Sequence, residues 1–449
     1  MSRNLLPGTP AEVLTYARTL LADSQVISAE LALRPLVERH PDCIDAWLML
    51  ADIAEQRGDE ARTRECIAQA TAQAPQNESL GLHIAQLQLR AGNLLDAIDT
   101  LIGLIEGLPK SFMAWFMLGD AFALAGRAEL ALRARYQGLC RGQDAGFLMG
   151  MSSTPEPLQP VIKQLIAEIN EQHSLLINDG LERMRNLVGP AEMKRVEHAI
   201  AVYMGQRQDA PANANQAPKF LFFPGLPEGP YHDPYLHPWA ARLDEAFGDI
   251  RAEAIDVLQQ EDGLENFLSF KPGQSKAGYL GGEGRNPSWD AFFFYRHGEL
   301  YDANHARCPK TSAALRGIEL CEVAGQAPEI CFSVLQPGTH IMPHHGVTNT
   351  RLVMHLPLIV PPSCALNVFG GGEHAWREGE LMMFDDTFKH EAWNKSDQTR
   401  VILLMDCWNP YLTSAERVAT RHLVELISDF ENFPDTALRQ TASQLRAQT

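Results

Sequence analysis

No stretch of this chain is apolar for long enough to cross a bilayer, its cysteines form no C-x-x-C pair, and its basic residues fall short of its acidic ones. Each shortage excludes something. Lys plus Arg total 38 against 56 Asp plus Glu, a net charge of −18. That balance repels polyanions and anionic lipid, so neither nucleic acid nor membrane is expected as a partner. One long run without a charged residue, Val353 to Gly372, holds His355, three prolines and three glycines, and reads as buried strands and turns. MSRNLLPGTPAE is broken by Pro7 and Pro10 before any signal-peptide core can form, which leaves the cytoplasm as the expected location. The eight cysteines (Cys43, Cys66, Cys140, Cys308, Cys321, Cys331, Cys364, Cys407) are scattered, as expected of reduced thiols and not of a disulfide framework or zinc site. At 449 residues, two or three domains are expected.

What the first third does contain is a period. Pro7, Pro41, Pro75 and Pro109 recur every 34 residues, as do Ala17, Ala51, Ala85 and Gly119. The same step links Trp47 with Trp115, Gly58 with Gly92 and Gly126, and Ala29 with Ala97 and Ala131. A small residue where two helices touch, glycine at the turn and proline between units resemble tetratricopeptide repeats, about four of them over residues 7–140. Such repeats imply a solenoid that holds an extended peptide or a partner protein, or else self-associates.

STPEPLQP (153–160) breaks that pattern. Ile162, Leu165, Ile166 and Ile169 then predict a helix from Val161 to about Arg185, with a second between Pro190 and Met204, a helical connector over 155–206. RQDAPANANQAPK (207–219) lacks periodicity and reads as the boundary to a different domain. Over 219–412 short β-rich segments (EICFSVLQPG, RLVMHLPLIV, ALNVFGGG, ELMMFDD, RVILLMDCW) lie between Gly and Pro turns and suggest a sandwich or jelly roll. A helical tail over 413–449 starts at the capping box TSAE and runs past NFPD. The fold class expected is therefore multidomain α + β: a helical-repeat solenoid, then a jelly roll.

The chemistry-bearing segment is GTHIMPHHGVTNTRLVMH (338–355). Side chains alternate along a strand, so at most one of His344 and His345 reaches a metal inside a barrel. Residue 346 shares the face of His344, where a two-His, one-carboxylate iron site would place Asp or Glu; here it is Gly346. His390 follows 46 residues on, and Arg400 opens a mostly apolar strand, where its buried charge requires a carboxylate partner. A histidine, a later histidine and an arginine on the next strand suit Fe(II) and a dicarboxylate co-substrate. Asp385 and Asp386 read as turn-capping or supporting groups, and His232 and His237 in YHDPYLHPW as a proline-shaped lip.

From about Phe222 to Leu412 the chain resembles the aspartyl/asparaginyl β-hydroxylase family of 2-oxoglutarate-dependent oxygenases. SWDAFFFYRHGE, CPKT, FSVLQPGTHIMPHHGVTNTRLVMHL, WREGELMMFDDTFKHEAWN and RVILLMDCWNP occur in order. The resemblance implies a double-stranded β-helix with Fe(II) on His344 and His390, no carboxylate ligand, and glycine at the place of Gly346. It implies a 2-oxoglutarate pocket at Ser333 and Arg400, with His355 near the metal and Trp289 along the wall. O2 would be the second co-substrate, and the product a C–H bond hydroxylated at the β-carbon of an Asp/Asn-type residue in a peptide or protein held by the repeats.

Two departures stand out. Val353 occupies the place of a second arginine in a run resembling R-L-R-M-H, which weakens the case for an acidic substrate. His345 replaces a smaller residue and, with Arg351, is a candidate substrate contact. A free amino acid or other small molecule is the alternative substrate, a halogenase the alternative reaction, and a scaffold with a silent jelly roll the alternative class.

Overall fold

The computed structural model describes residues 9–449 except 74–76, 261, 269–277, 283–286, 432–437, 440–442, 444–445 and 447–449. Pro7, Pro75 and the NFPD segment thus lie outside the described residues. The chain divides into two compact units, residues 1–173 with 428–449, and residues 174–427.

The first unit holds four helix pairs: α1 (Pro10–Ala22) with α2 (Val26–Arg39), α3 (Ile44–Gln56) with α4 (Glu60–Gln73), α5 (Glu78–Arg90) with α6 (Leu94–Gly107), and α7 (Phe112–Leu124) with α8 (Ala128–Asp144). The 34-residue columns have physical causes. Ala17, Ala51 and Ala85 have no exposed surface, because paired helices meet there. A Cβ at Gly119 would come within 2.9 Å of the Ala131 carbonyl oxygen. Gly58, Gly92 and Gly126 adopt φ of +70°, +77° and +71° at the turn inside a pair, a conformation that costs an L-residue about 1 kcal/mol.

In the second unit the part of α9 (Gln159–Val188) from residue 174 onward and α10 (Lys194–Tyr203) precede a β-rich region, and α14 (Ser414–Glu431), up to residue 427, follows it. Ile177, Leu181 and Met184 pack with Val196, Ala199, Leu423 and Ile427 in one apolar cluster. The helix after Thr413 begins as TSAE predicts: Glu416 N–H donates to Thr413 Oγ1 at 3.2 Å, and Thr413 N–H to Glu416 Oε2 at 2.9 Å.

Between these helices run β1 (Tyr231–His232), α11 (Ala240–Gln260), β2 (Glu265–Asn266), β3 (Leu280–Gly281), β4 (Trp289–Arg296), β5 (Glu299–Leu300), α12 (Asp302–Arg307), α13 (Pro309–Leu315), β6 (Ile330–Leu335), β7 (His340–His344), β8 (Arg351–Ile359), β9 (Cys364–Val368), β10 (Gly372–Ala375), β11 (Met382–Phe384), β12 (His390–Asn394) and β13 (Arg400–Trp408). They form two antiparallel sheets, ordered β1-β11-β8-β13-β6-β4-β2, with β5 beside β4, and β10-β9-β12-β7-β3.

All nine residues of β13 are buried because both faces of its sheet are covered. Val401, Leu403, Met405 and Cys407 join Leu352, Met354 and Leu356 against Leu243, Ile250 and Val257 of α11. The opposite parity faces the second sheet, where Val353, Ile402 and Leu404 meet Leu366, Val368 and Ala392. Fully burying each large side chain in such layers stabilises by about 1.5–3 kcal/mol. Among the described residues no helix is long and apolar enough to cross a membrane.

Candidate functional site

The two sheets enclose a cavity of about 560 Å³ lined by Trp289, Ser333, His344, Arg351, Val353, His355, His390 and Arg400, among others. Of the residues singled out above, Trp289, Ser333, His344, Arg351, His355, Asp386, His390 and Arg400 line it, while Gly346, Asp385, His232 and His237 do not. His345 follows the last residue of β7 and does not line the cavity either.

His344 ends β7 and His390 begins β12, and the two are direct cross-strand partners, ring centroids 4.1 Å apart. His390 opens a strand of its own. Each ring donates from Nδ1 to the carbonyl oxygen two residues upstream, His344 to Met342 and His390 to Phe388, both at 2.9 Å. That bond holds the neutral tautomer with the Nε2 lone pair free, the form a metal requires. Burial lowers both pKa values to about 4, so both rings are neutral at pH 7. Among the described residues no cluster of three or more His, Cys, Asp or Glu suits a metal.

Gly346 explains itself sterically. A Cβ there would lie 2.1 Å from Cγ of Asp386, and the Gly346 N–H donates to the Asp386 carbonyl oxygen at 2.6 Å. The carboxyl absent from the strand after His344 has its space filled by one from the turn before β12. Burial raises the Asp386 pKa to about 6, with Arg351 opposing the rise. Asp385, raised to about 7 by burial, instead closes the turn, accepting from Thr387 N–H at 2.9 Å and Gln216 Nε2 at 3.0 Å.

Arg400 is the anomaly of the site. It is 1% exposed, makes no salt bridge among the described residues, and leaves Nε without a partner. Its neutral company is Ser333, whose Oγ and carbonyl oxygen both accept from Nη1 at 3.3 Å, and the Trp376 ring 4.8 Å away. Burial lowers its pKa to about 10, still charged at pH 7. An unpaired buried guanidinium costs several kcal/mol, against which the contact to Trp376 returns about 0.5–2. The cluster is otherwise well held: Trp289 Nε1 donates to Ser333 Oγ at 2.8 Å, and Phe267 stacks on Trp289 at 3.8 Å. Trp376 Nε1 donates to His355 Nδ1 at 3.3 Å, and burial lowers the His355 pKa.

Arg351 also reaches the cavity, but Nη1 bonds Asp406 Oδ2 at 2.8 Å. Burial is the largest single effect and disfavours its charge, but the surrounding groups, Asp406 first and then Asp386, together outweigh it and the pKa rises. Sequence reasoning gave no role to Trp376, Asp406 or Glu329. The parity of β13, on which 400, 402, 404 and 406 share a face, was the available signal for Asp406. His232 and His237 do not meet: His237 stacks on Trp239 at 4.7 Å, while His232 lies near Tyr411.

The aspartyl/asparaginyl beta-hydroxylase profile matches residues 244–410, and a tetratricopeptide-repeat profile matches 14–78 and 82–146. The chain is 33% identical over 201 residues to the ornithine lipid ester-linked acyl 2-hydroxylase of Rhizobium tropici, covering 44% of this chain and 67% of that protein. It is 32% identical over 209 residues to human aspartate beta-hydroxylase domain-containing protein 2, covering 45% of this chain and 54% of that one. Human aspartyl/asparaginyl beta-hydroxylase is 32% identical over 169 residues, 37% of this chain and 21% of its own length. The chain thus spans little more than half of several of its relatives. Site, matched segment and relatives agree, and the chain belongs to the aspartyl/asparaginyl β-hydroxylase family.

Proposed function

We propose that this chain is an Fe(II)- and 2-oxoglutarate-dependent dioxygenase that hydroxylates an unactivated C–H bond. The observation that carries the reading is Arg400: a buried cation with no acidic partner among the described residues, braced by Ser333 and Trp376, calls for an anion from outside the chain. The distal carboxylate of 2-oxoglutarate meets that need, and His344 and His390 offer two oriented Nε2 lone pairs for the metal. Bound Fe(II) supplies O2 activation, with 2-oxoglutarate oxidised to succinate and CO2. The chain's own part is positional. Trp376 orients His355, Ser333 and Arg400 hold the co-substrate's far end, Asp386 offers an acceptor beside His344, and the apolar walls exclude water.

The strand orders support a double-stranded β-helix. The eight strands β6–β13 alternate between sheets except at the β9–β10 hairpin, giving β6-β13-β8-β11 facing β7-β12-β9-β10. Family membership and the repeats favour an Asp/Asn-type residue in a peptide or protein partner, hydroxylated at its β-carbon. Val353, and the relative named for acting on a lipid acyl chain, favour a lipid or other small molecule as the second reading. The eight free cysteines suit a cytoplasmic enzyme. A silent scaffold has no need of Arg400 buried and unpaired.

The test is anaerobic addition of Fe(II) and then 2-oxoglutarate, followed by visible absorption. A metal-to-ligand charge-transfer band in the wild type, weakened in Arg400→Ala, is expected. No band in folded wild-type protein would sink the reading and favour the scaffold.

A further inference from the structure

The cavity is electrically divided along β13. Arg400 and Asp406 share its inward face six residues apart, about 20 Å at roughly 3.3 Å per residue. At the Arg400 end there is a cation without an acid among the described residues. At the Asp406 end carboxylates outnumber cations. Asp406 Oδ2 accepts from Arg351 Nη1 at 2.8 Å and from the Glu329 N–H at 2.9 Å. Glu329 Oε1 accepts from the His297 N–H at 2.9 Å and lies 2.7 Å from Nδ1 of the same residue, a ring whose pKa burial lowers and which therefore adds little positive charge. Asp386 is the third carboxyl, 9% exposed, facing the cavity with Oδ1 unpartnered.

Against these three stands one directly bonded guanidinium, Arg351. Arg296, which also lines the cavity, bonds Glu265 at 2.8 Å, and Lys219 adds only a minor attraction to Asp386. Val353 is the cross-strand partner of Asp406, so an anionic group lying against Val353 would face a carboxylate.

We propose that this end of the cavity is the substrate end and takes a cationic group, a primary ammonium or guanidinium, bound between Asp386, Glu329 and Asp406. Arg351 then serves to hold Asp406 in place and does not recognise a substrate acid. The proposal rests on the reading of the Arg400 end as the co-substrate end. It makes Asp386, Glu329 and Asp406 the specificity-determining residues. A free side-chain carboxylate becomes the disfavoured substrate, because like charges at short range in a partly dry cavity repel strongly.

The full-length, metal-free protein can be titrated by saturation-transfer NMR with butylammonium and with butyrate, each with and without glutarate as the occupant of the Arg400 end. Butylammonium is expected to bind about tenfold more tightly than butyrate with glutarate present, and Glu329→Gln and Asp386→Asn each to weaken it roughly three- to tenfold, about 0.7–1.4 kcal/mol. Circular dichroism checks that both variants fold, and the wild-type comparison needs no variant. Equal or tighter binding of butyrate, no binding of butylammonium, or binding indifferent to both substitutions overturns the proposal. Failure of glutarate to bind, or its indifference to Arg400→Ala, overturns the co-substrate reading instead, and the titrations without glutarate still decide this one.

Discussion

Arg400 makes the protein less stable than its sequence could be. A buried guanidinium without a counterion is replaceable by an apolar side chain of similar length at no loss, and often with a gain of 1–4 kcal/mol. Arg400→Met is therefore expected to leave the ligand-free protein as stable as the wild type or more so in urea unfolding, while abolishing 2-oxoglutarate binding in calorimetry. A clear loss of stability would mean that Arg400 has structural partners beyond Ser333 and Trp376. Glu329 gives a second test at this scale. Burial raises its pKa from 4.5 to about 7, so the folded state binds its proton more tightly than the unfolded one. The stability that proton confers is fully present below pH 4.5 and is lost as pH rises through 7. Glu329→Gln keeps the acceptor for the His297 N–H and removes the titration. Its thermal midpoint should match the wild type near pH 4.5 and exceed it at pH 8; a constant offset across that range would refute the assignment.

At the scale of elements, two glycines mark where backbones come too close for a side chain. Gly346→Ala drives a methyl into the Asp386 carboxyl and is expected to cost about 1–3 kcal/mol. Gly346→Ala combined with Asp386→Ala should recover most of that loss, a coupling that a double-mutant cycle in denaturant measures directly. In the repeats, Gly119→Ala would gain about 1 kcal/mol of helix propensity if the position were open. The Ala131 carbonyl oxygen 2.9 Å from the new Cβ belongs to the backbone and cannot swing aside, so net destabilisation is expected in thermal unfolding. A gain would show that α7 and α8 separate easily.

At the scale of the whole molecule, ligands that bind only the folded β-rich unit must stabilise it by mass action. Fe(II) with 2-oxoglutarate at about a hundred times its Kd should add about 2.7 kcal/mol, raising the unfolding midpoint of a unit of this size by roughly 5–11 °C. Calorimetric scans with and without ligand check this, and Arg400→Ala should show no such shift with 2-oxoglutarate.

Much of this was legible in the chain alone, because some constraints are local. A 34-residue period records where helices touch. Glycine every 34 residues records a left-handed turn, and the nearly unbroken apolar run of RVILLMDCW records a strand buried on both faces. Parity set His345 apart from His344, and charge in an apolar strand marked Arg400. What only the tertiary structure decided depends on which strands become neighbours. The cross-strand pairing of His344 with His390, the Asp386 carboxyl in the space beside Gly346, Trp376 over Arg400, and Asp406 tying up Arg351 all join segments tens of residues apart. No pattern within one segment encodes those meetings, because register between strands follows from packing the whole core.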